Sequence, residues 1–309
     1  MRTLIVDRSV PGGLRVAEAP EPVPTPGQAL IRVTATSLNF GEVRHGIDSA
    51  PEGAVLGWDA AGVVVRAAAD GSGPAVGTSV VTLGENGGWA ELRAVRTDWI
   101  GVVPEGADPG AISTIPVAGA TALRALDRVG PLLGRRVLVT GATGGVGRYA
   151  VQLARLGGAY VIAATGDPAR HGDGLRALGA HEVVESPAQS GGRLDGVLDM
   201  LGGAPLVEAF DQLGEGGLLV AVGHSTGEGE SFPFGALFGG ADRHDRSLVT
   251  FLLLCCDGLH RDLTWLAGQV AGGTLSPEIA WRGGWDDAAE AVTALLERRL
   301  HGKAVLDLA

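Results

Sequence analysis

A short apolar segment runs directly into a glycine-rich loop near the middle of the chain, and this junction constrains the fold more than any other feature. The segment Arg136–Thr140 has the sequence RVLVT, and the loop after it has the sequence GATGGVG. Residues 145–156 then place apolar side chains at three- and four-residue spacing, which predicts a helix. A strand, a glycine loop and a helix in this order are typical of a dinucleotide-binding site, because the helix N-terminus offers unpaired N–H groups to a pyrophosphate.

The glycines of this loop have separate predicted tasks. Gly141 permits the tight turn, and Gly144 and Gly145 let the backbone approach a pyrophosphate. Gly147 allows the helix to pack closely on the strand. The alternative is a glycine-rich turn with a purely structural role. We expect a bound dinucleotide to contact Gly141, Thr143, Gly144, Gly145 and Val146.

The segments on either side of residue 113 have different patterns. The first hundred residues predict short strands between Gly- and Pro-rich turns, at Leu30–Ser37, Ala60–Arg66, Ser79–Leu83 and Trp89–Val95. From a predicted helix at Ile112–Leu126, strands and helices alternate until a last strand at Leu248–Leu254. Alternation of this kind predicts a parallel sheet with helices on both faces. The predicted fold class is therefore α/β, with a β-barrel domain and a doubly wound parallel-sheet domain.

Charge and lysine content exclude several classes of function. The net charge is −11, so phosphate backbones repel the chain and we expect no nucleic-acid partner. Lys303 is the chain's one lysine, and it lies far from the glycine loop. A P-loop needs a lysine beside its glycines, and a short-chain dehydrogenase needs a Tyr-x-x-x-Lys pair, so neither class fits.

Cysteine content and hydropathy bound the remaining possibilities. Cys255 and Cys256 are adjacent, so they form neither a disulfide framework nor a four-ligand zinc site. They lie in the apolar run Leu248–Cys256, where we expect buried thiols. The chain has no apolar start and no apolar run of about 18 residues. We therefore expect a cytoplasmic protein with no membrane partner.

Several short motifs follow one another along the chain, and their order is informative. Ser37–Gly46 has the sequence SLNFGEVRHG, Gly57–Val64 has GWDAAGVV, and GGWAELRAV, the glycine loop and HGKAVLDL follow. As an ordered set these motifs resemble the medium-chain dehydrogenase/reductase superfamily, and within it the zinc-independent quinone oxidoreductase and enoyl reductase branch. The resemblance implies a GroES-like domain at 1–112, an inserted Rossmann domain at 113–254 and a return to the first domain at 255–309.

The resemblance also implies site residues. Asn39 and Glu42 match family positions that face the nicotinamide and substrate, and Thr121 matches a threonine near the carboxamide. Asn39 has the alternative role of capping a local turn. Asp48 falls about where many relatives carry a tyrosine, so water, His45 or Asp48 is left to protonate the product. The candidate catalytic residues are Asn39, Glu42 and His45.

The zinc ligands of the superfamily's alcohol dehydrogenases have no counterpart in the motifs. Asn39 stands in the region of the first cysteine ligand, and Trp58 and Asp59 replace a His-Glu pair. We therefore predict no metal. Without a Lewis acid on the oxygen, a quinone or a conjugated carbonyl that takes hydride at carbon fits better than a simple alcohol.

The second strand of the alternating region bears on the choice of cofactor. NAD enzymes carry an acid at the end of this strand, but here it ends at Ala164 and Thr165. Arg170 follows at a position where NADPH-dependent relatives carry a basic residue, so NADP(H) is predicted. Asp167 keeps NADH open, because its carboxylate could hold a ribose hydroxyl. The other predicted cofactor contacts are Thr165, Gly202, Gly223, His224 and Phe251.

One motif points to different chemistry. Residues 223–227 fit the Gly-x-Ser-x-Gly nucleophile elbow of hydrolases, with Ser225 as nucleophile. An elbow needs a helix directly after it, but the sequence EGESFPF that follows is a poor helix start. We therefore assign this loop to the cofactor cleft.

Together these features predict an NADPH-dependent oxidoreductase that transfers hydride to a quinone or an α,β-unsaturated carbonyl without a metal. The alternatives are a biosynthetic tailoring reductase or cyclase on the same scaffold, and a nucleotide-binding regulatory protein that has lost catalysis. The predicted partners are a hydrophobic small-molecule substrate and a second copy of the chain, bound through the run Leu248–Cys256.

Overall fold

The computed structural model describes residues 1–308 and separates them into two compact units. The terminal unit combines residues 1–120 with the chain from Asp257 onwards, and the central unit covers Thr121–Cys256. The strands are β1 (Arg2–Val6), β2 (Leu14–Glu18), β3 (Gln28–Leu38), β4 (Asp59–Arg66), β5 (Ser79–Leu83), β6 (Leu92–Arg96), β7 (Ile100–Val102), β8 (Arg136–Val139), β9 (Tyr160–Ala164), β10 (Glu182–Val184), β11 (Leu194–Asp199), β12 (Leu213–Ala221), β13 (Ser247–Thr250), β14 (Ile279–Gly284) and β15 (Lys303–Asp307).

The helices are short. They are α1 (Ile47–Ser49), α2 (Pro109–Ser113), α3 (Ala120–Val129), α4 (Gly145–Leu156), α5 (Pro168–Ala177), α6 (Gly203–Asp211), α7 (Leu259–Ala271) and α8 (Ala288–Leu296). None of the helices within residues 1–308 has the length and apolarity that crossing a membrane requires.

The first compact unit ends at Ala120, whereas the predicted domain boundary was at residue 113.

The predicted helix Ile112–Leu126 is in fact two helices, α2 and α3, joined by a π-helical turn at Ile115–Gly119. Pro116 lies in the first part of that turn. Proline has no N–H to donate to an α-helical ladder, and the hydrogen bonds here change to the π-helical pattern, so one continuous α-helix was the wrong prediction.

The terminal unit is built on a largely antiparallel sheet. Its strand order is β14-β15-β3-β4-β5-β7, β6 also pairs with β3, and β1 pairs with β2 in a separate ribbon. β15 lies antiparallel to β3 with Ala304 opposite Leu38, and β3 lies antiparallel to β4. Antiparallel neighbours bring the start of one strand to the end of the next, so the starts of β15 and β4 meet the end of β3. Trp89, Leu38 and Leu306 are among the side chains of its core.

The central unit contains six parallel strands in the order β10-β9-β8-β11-β12-β13. Helix α4 has the predicted bounds, and Tyr149 is one of its buried side chains. The chain enters the sheet at β8 and proceeds outward on both sides, so β8 and β11 are neighbours although they are distant in sequence. In open parallel sheets, ligands bind outside the carboxyl ends of the strands at such a switch. The predicted α/β fold class is confirmed.

The apolar run Leu248–Cys256 differs from its prediction. Strand β13 ends at Thr250, and a single 3-10 turn follows at Leu253–Cys255. Cys255 is exposed and Cys256 is half-buried, so buried thiols were the wrong expectation. The reason is that β13 is the edge of the six-stranded sheet, with no strand beyond it to cover these side chains.

This edge carries the prediction of a homodimer. Leu248 is 40% exposed and Leu252 is 60% exposed, and an unpaired apolar edge favours pairing with its twofold mate. Static light scattering at micromolar concentration should give roughly twice the 31.3 kDa of one chain. Leu248→Glu should give the mass of one chain, because the carboxylate would be buried at the contact. Leu133→Glu, at an exposed site away from the edge, should stay dimeric. A single-chain mass for the unsubstituted protein would contradict the prediction.

Candidate active site

The glycine loop between β8 and α4 forms a cradle of backbone N–H groups. Gly141 has a φ of 56°, in the left-handed region, and Gly144 caps α4 with extended backbone and no side-chain hydrogen bond. The first N–H groups of a helix have no partner within it, so those of α4 remain for a ligand. A Cβ at Gly147 would lie 2.4 Å from the carbonyl oxygen of Gly141. The loop therefore fits the pyrophosphate of a dinucleotide, and a side chain at Gly147 would deform it.

A buried carboxylate fixes the backbone beside this cradle. Asp199 ends β11, and its Oδ1 accepts a 2.6 Å hydrogen bond from the hydroxyl of Thr140 at the end of β8. Its Oδ2 accepts a 2.8 Å bond from the N–H of Gly202. Burial raises the pKa of Asp199 above its ordinary value. The sequence argument missed this residue, although an acid at the end of an apolar strand is a usable signal.

Three of the predicted cofactor contacts meet at the carboxyl ends of β11 and β12. Gly223 donates its N–H to the carbonyl of Asp199, and the ring of His224 lies against Gly202. The Nε2 of His224 lies 2.7 Å from the carboxylate of Glu230, which also accepts from the N–H of Gly203. That backbone hydrogen bond is the main reason why the pKa of Glu230 is lowered. The loop after β12 is thus tied to the loop after β11.

The predicted contacts at the ends of β9 and β13 lie elsewhere along the sheet. Thr165 is buried directly after β9, and Phe251 is half-buried directly after β13. Arg170 lies in the first turn of α5 with an exposed side chain. Asp167 caps the same helix, because its Oδ1 accepts a 3.0 Å bond from the N–H of Arg170. Part of the acceptor capacity of Asp167 is therefore already used.

Thr121, the remaining predicted cofactor residue, is buried in the first turn of α3. Thr143 and Val146, within the glycine loop and the first turn of α4, are half-buried.

In the terminal unit, four polar side chains form a buried cluster where the ends of three strands meet. Asn39 follows β3, Glu42 begins a π-helical turn at Glu42–Gly46, Asp59 begins β4 and Lys303 begins β15. All four are buried. We call this set the buried polar cluster. Asn39 and Glu42 were predicted as site residues, whereas Asp59 was noted as standing in place of a zinc ligand and Lys303 was given no role.

Asn39 lies at the centre of this cluster. Its Nδ2 donates to Glu42 at 2.7 Å and to Asp59 at 2.9 Å. Its Oδ1 accepts from the Nζ of Lys303 at 2.6 Å. Glu42 accepts from the backbone N–H of Asn39 at 3.2 Å and from that of Trp58. The carboxylate of Glu42 therefore binds both the backbone N–H and the side-chain amide of Asn39, and these two hydrogen bonds orient the asparagine.

Burial and neighbouring charge shift the pKa values of Glu42, a member of the cluster, and of Arg93 beside it. Burial, followed by the negative charge of Asp59, raises the pKa of Glu42 from 4.5 to about 8, although three N–H groups donate to its carboxylate. Burial lowers the pKa of Arg93 to about 10. The guanidinium of Arg93 donates to the carbonyl oxygens of Gly57 and Trp58.

The other candidate donors are not part of the cluster. His45 and Asp48 are exposed on the helical turns that follow Glu42. His45 thus remains a predicted catalytic residue that the terminal unit does not bring to Asn39.

The competing hydrolase motif lacks the backbone that it needs. Residues 225–226 form a turn, and no helix begins between there and residue 250. A nucleophile elbow holds its serine on a sharp strand-to-helix junction, and this loop does not provide one.

Comparison with known proteins gives matches in both units. The family model described as an alcohol dehydrogenase GroES-like domain matches residues 25–105, and the one described as a zinc-binding dehydrogenase matches residues 145–250. A chloroplast envelope quinone oxidoreductase homolog of Arabidopsis thaliana is 32% identical over 235 residues, which cover 68% of this chain and 70% of that protein. This chain belongs to the medium-chain dehydrogenase/reductase superfamily. Its branch is that of the quinone oxidoreductases and enoyl reductases.

Two further relatives show the range of that branch. A quinone oxidoreductase of Coxiella burnetii has a TM-score of 0.82 at 26% identity, covering 100% of this chain and 99% of that one. An erythronolide synthase of Saccharopolyspora erythraea is 37% identical over 236 residues. That match covers 70% of this chain but 6% of the synthase, so the chain spans only a small part of that relative's length. Members of the superfamily bind a nicotinamide dinucleotide, and the glycine cradle fits one.

The superfamily includes zinc enzymes, so we looked for side chains that could ligate a metal ion. Within residues 1–308, no group of three or more His, Cys, Asp or Glu side chains is arranged to hold a metal ion. The two buried carboxylates of the cluster, Glu42 and Asp59, are instead accompanied by the ammonium of Lys303. Zinc independence stays a prediction.

The raised pKa of Glu42 predicts a pH-dependent stability. The folded protein binds this proton more tightly than the unfolded chain, so Glu42 should lower the free energy of unfolding as the pH rises from about 4.5 to about 8. Between about pH 6 and about pH 8 the unsubstituted protein should lose about 2 kcal/mol relative to Glu42→Gln. Denaturant midpoints at the two pH values measure this difference. Glu105→Gln, at an exposed site, should track the unsubstituted protein. Parallel curves for Glu42→Gln and the unsubstituted protein would contradict the assignment.

Proposed function

We propose that this chain is an NADPH-dependent oxidoreductase that transfers hydride to a quinone or to an α,β-unsaturated carbonyl without a metal. The observation that carries the proposal is the backbone cradle at Gly141–Gly147, which has the shape and polarity that a pyrophosphate requires. Family membership supplies the reaction type, and two quinone oxidoreductase relatives support the acceptor class.

The central unit would hold the cofactor through two kinds of contact. The N–H groups at the start of α4 would donate to the pyrophosphate, aided by the positive end of the helix dipole. Asp199 and Thr140 would keep the neighbouring loop in place, because they tie the ends of β8 and β11 together. When bound, the nicotinamide supplies the hydride.

The preference for NADPH rests on the end of β9. That strand ends at Ala164 and is followed by Thr165, and neither offers a carboxylate to a ribose 2′-hydroxyl. Arg170 presents an exposed guanidinium in the first turn of the next helix, and guanidinium groups bind phosphate through two parallel N–H donors. Asp167, which could favour NADH, is engaged as the cap of α5.

The terminal unit supports an acceptor that is reduced at carbon. The buried polar cluster supplies orientation and hydrogen bonds, and its carboxylates are matched by the ammonium of Lys303. Orientation of the acceptor by these hydrogen bonds would lower the barrier for hydride transfer. The protonating group stays a proposal among water, His45 and Asp48.

A tailoring reductase of a biosynthetic pathway is the second candidate. The observation that favours it is the 37% identity to a segment of the erythronolide synthase. Nicotinamide fluorescence should first establish binding of NADPH and NADH, and turnover should then be measured on a panel of quinones, enones and enoyl thioesters. Turnover with enoyl thioesters alone would favour the tailoring reductase, and binding without any turnover would favour a regulatory protein.

Replacement of Arg170 tests the cofactor assignment. Arg170→Ala should weaken NADPH binding by about ten- to a hundredfold, because a charge-assisted contact to the 2′-phosphate is lost. The affinity for NADH should change little, since NADH lacks that phosphate. Arg176→Ala removes an exposed arginine from the other end of α5 and should leave both affinities unchanged. Equal losses for both cofactors would show that Arg170 does not contact the phosphate, and Asp167 with NADH would become the better assignment.

Chelation tests the metal-free reaction. Prolonged incubation with EDTA should leave the reductase rate unchanged, because the described residues include no ligand group for a metal. The rate is measured before dialysis, after dialysis and after addition of zinc. Loss of activity on dialysis and recovery with zinc would contradict the proposal that the reaction needs no metal.

A further inference from the structure

Lys303 is the chain's one lysine, and it is only 3% exposed. Its Nζ lies 2.6 Å from the Oδ1 of Asn39 and 3.2 Å from the Oδ2 of Asp59. A buried ammonium is costly unless it is paired and hydrogen-bonded, and here both conditions are met within the buried polar cluster. Lys303 is not among the residues proposed above to bind cofactor or substrate.

The contacts of Lys303 determine which way the Asn39 amide faces. The NH2 group of Asn39 donates to two carboxylates, and its oxygen accepts from the ammonium. The reverse orientation would set the amide oxygen against Glu42 and Asp59, and the NH2 group against the ammonium. Oxygen would then face acceptors and nitrogen would face donors, so only the observed orientation is compatible with these neighbours.

No other cation of the cluster region performs this task. Four charged side chains face each other here, on the elements that begin or end at the cluster: Glu42, Asp59, Arg93 and Lys303. The guanidinium of Arg93 is occupied by the carbonyl oxygens of Gly57, Trp58 and Thr82 and by the Thr82 hydroxyl. Lys303 is therefore the cation that contacts the amide.

Both N–H bonds of the Asn39 amide are used inside the cluster. What remains at the amide is the second lone pair of Oδ1, which accepts hydrogen bonds and does not donate them. We propose that Lys303 is a positioning residue that locks Asn39 as a hydrogen-bond acceptor, so that Asn39 binds an N–H or O–H group of the substrate. Asn39 then does not donate to an oxygen that develops negative charge. This inference rests on the proposed function for the role of Asn39 in the reductase.

The lock also depends on the charge of Glu42. The Oε2 of Glu42 accepts hydrogen bonds from Asn39, and its Oε1 accepts one from the N–H of Trp58. A proton on either oxygen would compete with the hydrogen bonds that this oxygen accepts. The positive charge of Lys303 lowers the pKa of Glu42, against the larger effects of burial and of Asp59. Removal of the ammonium should therefore raise the pKa of Glu42. If activity rises as Glu42 loses its proton, that rise should then occur at higher pH.

The first experiment measures the reductase rate of Lys303→Met and Lys303→Arg between about pH 6 and about pH 9. Lys303→Met should lower kcat about tenfold or more, with the rise of the pH profile displaced to higher pH. Its affinity for NADPH should change less than twofold. Lys303→Arg, which keeps the charge, should return the pH profile toward that of the unsubstituted chain. Arg66→Met, at the exposed far end of β4, is the matched control and should change neither. An unchanged kcat and pH profile in Lys303→Met would overturn the proposal.

The second experiment does not depend on activity or on the folding of a Lys303 variant. Lysine labelled at Nζ gives a single NMR signal per chain, because the sequence has one lysine. In the unsubstituted chain this ammonium should exchange slowly with water, and in Asn39→Ala it should exchange faster. Exchange as fast as that of free lysine, or exchange that is identical in Asn39→Ala, would overturn the lock. Slow exchange in a chain without any reductase turnover would uphold the lock and reject the proposed function.

Discussion

A buried ammonium group, bonded to an asparagine and to one carboxylate, allows the terminal unit to fix that asparagine at the end of its longest strand. Asp59 is fully buried and accepts from Ser37, Asn39, Lys303 and the backbone of Val117. The charge of Lys303 offsets part of the repulsion between the two buried carboxylates and lowers the pKa of Glu42, against the larger effects of burial and of Asp59. The packing of β15 on β3 supplies that cation, so the return of the chain after the central unit completes the cluster.

The central unit achieves its binding site by different means. Its cradle is made of main-chain N–H groups and of glycines whose missing side chains leave room, and the positive end of the helix dipole adds to their attraction for a pyrophosphate. A buried side chain, Asp199, sets the geometry of the adjacent loop without facing the ligand. The two units thus represent two solutions to the same problem: one orients groups with buried charge, and the other with backbone.

The sequence predicted the elements with strong local signals. The bounds of α4 and of β5 are as expected, because the glycine loop and the flanking turns mark them clearly. The helix Ile112–Leu126 was mispredicted, since its apolar spacing outweighed the proline within it. Strands β1, β2, β7 and β14 were not predicted, and all four lie at the edges of their sheets. Lys303 was noted only for its rarity, because its partners are separated from it by more than two hundred residues and no local pattern shows their contact.

The burial of the one lysine has a practical consequence. Reagents and enzymes that acylate lysine side chains need the Nζ free of its partners and exposed to solvent, and in this fold it is neither. Acylation at Lys303 therefore requires β15 to separate from β3, at least at its first residues. The extent of that modification would report how often this part of the sheet opens, which makes the residue a built-in probe of local unfolding.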